Sequence, residues 1–113
     1  MKDDTPIIEV MIRYCDAITS DIGDIDRDDF MEDEIIQRSC GFSLIQLGEY
    51  CKRVSEGTKT RYGDIEWRKI VVLRDLIVHA YEGINPVGLW DVVINDIPVL
   101  RRRLAEIHDC MQP

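Results

Sequence analysis

Apolar residues recur at helical spacing along almost the whole chain, and no stretch shows a confident strand pattern. Pro6 suits the first turn of a helix after Thr5, and Ile7, Ile8, Met11, Ile12, Cys15, Ile18 and Ile22 follow at three- and four-residue steps. Gly23 closes that helix. Asp26 then suits the cap of a short helical turn through Phe30 and Met31. From Asp33 to about Ser55, the positions Ile35, Ile36, Cys40, Phe42, Leu44, Ile45, Leu47, Tyr50, Cys51 and Val54 keep the rhythm through Gly41 and Gly48. A glycine inside a helix costs ~1 kcal/mol against alanine, so the pair points to close approach of another backbone or to plain tolerance.

Gly57 ends this long helix, and Thr58 to Gly63 reads as a short turn or helix. Asp64 is the expected N-cap of a helix from Ile65 to Tyr81, which Gly83, Asn85 and Pro86 terminate. The last helix starts near Val87 or Gly88 and carries Leu89, Trp90, Val93, Ile94, Ile97, Leu100, Leu104 and Ile107 toward the core. Pro98 removes one backbone hydrogen bond, which predicts a kink in its middle. The expected architecture is all-α: an antiparallel bundle of about five helices, one domain over residues 1–113.

At 113 residues the chain has room for one core and no separate catalytic module. Its 14 Lys and Arg against 22 Asp and Glu give a net charge of -8, the opposite of the broad basic footprint of a duplex-DNA or membrane-surface binder. The excess acid is N-terminal, with eight acids between Asp21 and Glu34. Such a run is either a solvated face or a docking surface for a basic partner. No run of ~18 apolar residues is present, and Met-Lys-Asp-Asp at the start lacks a secretory signal's apolar region, so a cytoplasmic protein with no membrane contact is expected. Cys15, Cys40, Cys51 and Cys110 form no Cys-x-x-Cys pair and have no zinc-ligand spacing, and they read as small buried hydrophobes. Neither a metal nor a cofactor is expected.

Candidate chemistry concentrates between Ile65 and Tyr81. On a helical wheel Trp67, Ile70, Val71, Ile77 and Val78 form a core stripe, while Val72, Leu73, Leu76 and Ala80 form a second apolar face. A helix apolar almost all round is buried on two sides, and in so small a domain the second surface can be another chain. Arg74 and Tyr81 fall inside the core stripe. A guanidinium there needs a carboxylate, a phosphate or a cavity to receive it, unless it snorkels. Asp75 and His79 stand one turn apart on the polar sector with Arg68, and a carboxylate in that position can orient an imidazole and favour its protonated form. A surface Asp–His pair without a task is the alternative. His108 stands alone and is assigned no role, and Arg101, Arg102 and Arg103 are either an exposed basic turn or contacts for an RNA backbone.

Together Arg74, His79 and Tyr81 spell Arg-x4-His-x-Tyr. With Leu47-Gly48-Glu49, Trp67-Arg68, Trp90 and Asp96-Ile97-Pro98 followed by Leu100, the chain resembles the HEPN superfamily over roughly residues 5–109, in particular its HepT-like toxin branch. Asp75 departs from the pattern, since many relatives carry Asn directly after the arginine. A negative charge there reduces attraction for a phosphate. The resemblance implies a homodimer in which two such helices face each other and cut RNA without metal. In that reading Arg74 stabilises charge on phosphorus, His79 moves the proton, and Asp75 supports it. It also implies a toxin–antitoxin pair of type VII character, in which a small nucleotidyltransferase antitoxin silences the toxin by attaching AMP to the tyrosine that Tyr81 matches. An alternative keeps the fold and the partner but makes the protein a binding module for nucleotide or the nucleotidyltransferase, without useful nuclease activity.

Overall fold

A computed structural model of the chain describes residues 3–79 and 85–111, with side chains of the helix at 67–79 described as far as Asp75. All the regular elements it describes are helical: α1 (Thr5–Ile22), α2 (Arg27–Glu32), α3 (Glu34–Arg53), α4 (Glu56–Arg61), α5 (Trp67–His79), α6 (Pro86–Asp91) and α7 (Ile97–Met111), with a π-helical turn at Val92–Asp96 joining the last two. The all-α bundle expected from periodicity is present. Short helices raise the expected five to seven.

Helix α1 buries Ile8, Met11, Cys15, Ile18 and Ile22, the stripe its spacing predicts, and packs on α3 and α7. Gly23 ends it with φ 52° and returns its N–H to the Thr19 carbonyl. This left-handed position is one that glycine fills without strain. Asp4, buried at the entrance of α1, accepts hydrogen bonds from Ser55 N (3.0 Å), Ser55 Oγ (2.7 Å) and Thr58 Oγ1 (2.7 Å). The chain start is thereby fastened to the cap of α4.

Part of the acidic run is capping chemistry. Asp26 accepts from Asp29 N at 2.8 Å to start α2, and Asp33 accepts from Ile36 N at 3.0 Å to start α3. Asp28 and Asp29 occupy the first turn of α2, where the helix dipole favours negative charge. Gln37 closes the junction, donating from Nε2 to the Phe30 and Met31 carbonyls. Ile35 and Phe42, which keep helical rhythm, nevertheless lie exposed on α3.

Several expectations change, among them Gly57, which lies inside α4 while α3 closes at Val54. The helix carrying Arg74 starts at Trp67, not Ile65, because Asp64 is not its cap: its carboxylate takes a two-pronged ion pair from Arg103 on α7 (2.5 and 3.0 Å). Ile94 faces outward because the π turn rotates it off the stripe of Leu89, Val93 and Ile97. A wide turn precedes Pro98, where the sequence predicts a kink: the Ile97 N–H reaches back five residues to Val92, just before the residue that lacks a donor. Cys15, Cys40 and Cys51 are buried, and burial pushes their thiols up to about 12, 11 and 11. Cys110 is exposed, one residue short of Met111, which continues the stripe of Leu104 and Ile107.

The packing partner of α5 is α3, and Gly48 explains how closely they approach. A Cβ at Gly48 would lie 2.3 Å from Cβ and 2.7 Å from Cγ of Arg74, with the Ile70 carbonyl at 3.4 Å. Gly48→Ala is therefore expected to lower stability by about 1–2 kcal/mol in urea unfolding, overpacking outweighing the ~1 kcal/mol helix-propensity gain. A more stable variant would show that the helices part freely.

Candidate functional site

The site begins where α5 is anchored. Trp67 is buried, its Nε1 donates to the Tyr62 carbonyl at 3.1 Å, and its own carbonyl accepts from Cys51 Sγ of α3 at 3.3 Å. From that fixed start, two turns of helix bring Arg74 over Gly48. The sequence leaves Arg74 with several possible fates, and the structure gives it carboxylates. Nη1 donates to Asp75 Oδ1 at 2.6 Å, and Nη2 forms a close ion pair with Glu49 of α3. The Asp75 hydrogen bond and the nearby Glu49 charge raise the guanidinium's pKa, against the opposing effect of burial. Arg74 is permanently a cation here.

Geometry distinguishes the two partners. Glu49 Oε1 is buried against the guanidinium without an aligned hydrogen bond among the described residues, so its contact is chiefly coulombic. Asp75 is more open, its side chain 47% exposed against 35% for Glu49. Arg74 Nε is buried and has no hydrogen-bond partner among the described residues. Glu49 is the site residue that the sequence reading left without a role. Its signal was an apolar-stripe arginine in need of a carboxylate, together with an acid next to a glycine inside a helix.

His79 ends α5 on the same helix as Arg74 and Asp75, with its side chain outside the described residues. Tyr81 also lies outside them. Arg74 and Asp75, which the helical wheel puts on different sectors, meet through the Arg74 side chain, and the relation of both to His79 and Tyr81 is carried by the sequence alone. His108 lies apart, paired with Glu9 on α1 at 2.9 Å. The basic triplet is not a turn: Arg101 pairs with Asp16 and Arg103 with Asp64 and Glu106 along α7, while Arg102 borders a groove.

That groove, 430 Å³ in volume, runs between α5 and the joined α6–α7 rod. Leu44 and Leu47 of α3 line it, with Ile70 and Leu73 from α5 and Ile97 and Leu100 from α7. Val72 of α5 and Val99 of α7 are exposed. Among the described residues no three His, Cys, Asp or Glu side chains converge as a metal site, and no helix is long and apolar enough to cross a membrane.

Comparison with known proteins places this geometry in a family. The model of HepT-like proteins, described as ribonuclease HepT-like, matches residues 11–107. "Putative RNase TTE0752" of Caldanaerobacter subterraneus is 27% identical over 107 residues, covering 95% of this chain and 96% of the relative. "Putative RNase MJ0127" of Methanocaldococcus jannaschii is 34% identical over 74% of this chain and 69% of its own length. "Probable ribonuclease HepT" of Thermococcus cleftensis is 29% identical over 77% of this chain and 83% of its own. No solved structure matches. The chain belongs to the HepT-like ribonuclease family.

Proposed function

We propose that the chain is a metal-independent endoribonuclease, the toxin of a toxin–antitoxin pair, working as a single-domain cytoplasmic homodimer with the cleft between two α5 helices. The observation that carries this reading is Arg74: a guanidinium fixed by Glu49 and Gly48 on the helix that also bears His79, in a chain of the HepT-like ribonuclease family. Exposed Val72 on α5 supports a partner surface beside it.

In this mechanism one His79 takes the proton from a ribose 2′-hydroxyl, and the oxygen attacks the adjacent phosphorus. The bond from phosphorus to the 5′-oxygen breaks, and the second copy's His79 returns a proton to that leaving oxygen. The products are a 2′,3′-cyclic phosphate and a 5′-hydroxyl. Arg74 stabilises the charge that grows on the phosphoryl oxygens. Asp75 supports His79 from one turn away. A nucleotidyltransferase antitoxin silences the enzyme when the Tyr81 hydroxyl attacks the α-phosphorus of ATP, acquiring AMP and releasing pyrophosphate. The adduct brings about one negative charge and much bulk to the phosphate site. A second reading, a binding module without nuclease activity, draws on the neutralisation of Arg74 by two carboxylates.

Light scattering is expected to give twice the chain mass at micromolar concentration, and a clean monomer would remove the shared cleft. Arg74→Ala and His79→Ala are each expected to lower RNA cleavage by ~10²-fold or more with the dimer still folded, and EDTA to leave the wild-type rate unchanged. Cleavage that needs magnesium, or that survives both substitutions, would favour the binding module. Tyr81→Phe keeps the ring and removes the acceptor oxygen, so it is expected to cut RNA but escape neutralisation by antitoxin and ATP. Intact-mass measurement should then show the AMP adduct on wild type alone.

A further inference from the structure

Two carboxylates share one guanidinium, and the structure does not treat them alike. Glu49 comes from another helix, held against α5 where Gly48 meets the base of the Arg74 side chain, and its contacting oxygen is buried. Withdrawing it means reshaping a packed helix pair. Asp75 is the next residue along the same helix, its side chain about half exposed. Arg74 Nε is itself buried, which shields that edge from an anion arriving from solvent. Nη1 carries the more exposed of the two carboxylates, Asp75.

We propose that Asp75 is a built-in stand-in for substrate phosphate: it occupies the Nη1 end of Arg74 in the free protein and is displaced by an RNA phosphodiester, while Glu49 remains in place as the residue that positions the guanidinium. This rests on the reading that Arg74 receives an RNA phosphate. Carboxylate and phosphodiester both present anionic oxygens that accept from the Nη1 N–H donors, so one replaces the other without rebuilding the site. The exchange keeps an anion at Nη1 in both states. It also makes Asp75 a determinant of RNA affinity, in addition to its support of His79.

The test uses a single-stranded 2′-O-methyl RNA oligonucleotide, which lacks the attacking hydroxyl, with binding followed by fluorescence anisotropy at fixed salt. Asp75→Asn is expected to tighten binding about fivefold, the effect of removing a competitor held by a half-exposed ion pair. In the Arg74→Ala background the same substitution should give much less, because the competition acts through Arg74. With cleavable RNA the gain should appear in KM, with the loss of His79 support read separately in kcat, whereas Glu49→Gln should lower kcat with little change in KM and Glu49→Asp should restore part of it. Circular dichroism checks folding, and Asp75→Ser repeats the test if the asparagine variant does not fold. Equal gains in both backgrounds, or no gain, would overturn the proposal. Arg74-dependent tightening in a protein that leaves cleavable RNA intact would instead overturn the nuclease reading and keep this one, and no binding by any variant would overturn both.

Discussion

A half-buried guanidinium lodged between two helices is best met by negative charge, because a cation with little water around it is costly without a partner. Much of this molecule follows from meeting that need at Arg74. Helix α3 must come close enough to present Glu49, which puts a glycine at position 48, and α5 must start at a fixed depth, which the two hydrogen bonds around Trp67 set. The ion pair is thus less a source of stability than a specification of how α3 and α5 lie on each other. Hydrophobic burial holds the bundle together, but it would accept other rotations of α5.

How much was legible in the sequence follows the same division between local and non-local causes. The stripe of α1, the cap at Asp26 and the start of α3 depend on neighbours within one or two turns, and spacing and residue type reveal them. Asp64 looked like a cap because caps are read from adjacent residues, yet an arginine 39 positions away claims its carboxylate. Ile94 and Cys110 were placed inward or buried by spacing and residue type, without knowledge of the π turn or of where neighbouring helices stop covering α7. At the site, Arg74 announced that it needed a partner, and nothing near it in the chain could say that the partner was Glu49.

Charge behaves in the same way. Counted along the chain, the acid-rich first half and the Arg101–Arg103 triplet look like two opposed surfaces. In the fold, acids of the first half serve helix starts at Asp26 and Asp33, and one of them, Asp16, pairs with Arg101. Arg103 is held by Asp64 and Glu106, and its pKa is raised chiefly by the Asp64 hydrogen bond. The basic triplet is therefore largely spent on internal fastening rather than offered as a track for a polyanion.

The π turn at Val92–Asp96 acts as a phase adjuster in a rod that serves two clients. Before it, Trp90 stacks against Phe30 at 5.0 Å between ring centres, turning the rod toward α2; after it, Leu104 and Ile107 turn toward α1. The buried residues Leu89, Val93 and Ile97 are spaced four and four apart, a step that advances by about 40° on an ordinary α-helix and that a wider turn, with more residues per revolution, draws back. Removing one residue from this segment would make a more regular helix and a worse protein: everything beyond the cut would swing by about 100°, carrying the α7 stripe off α1.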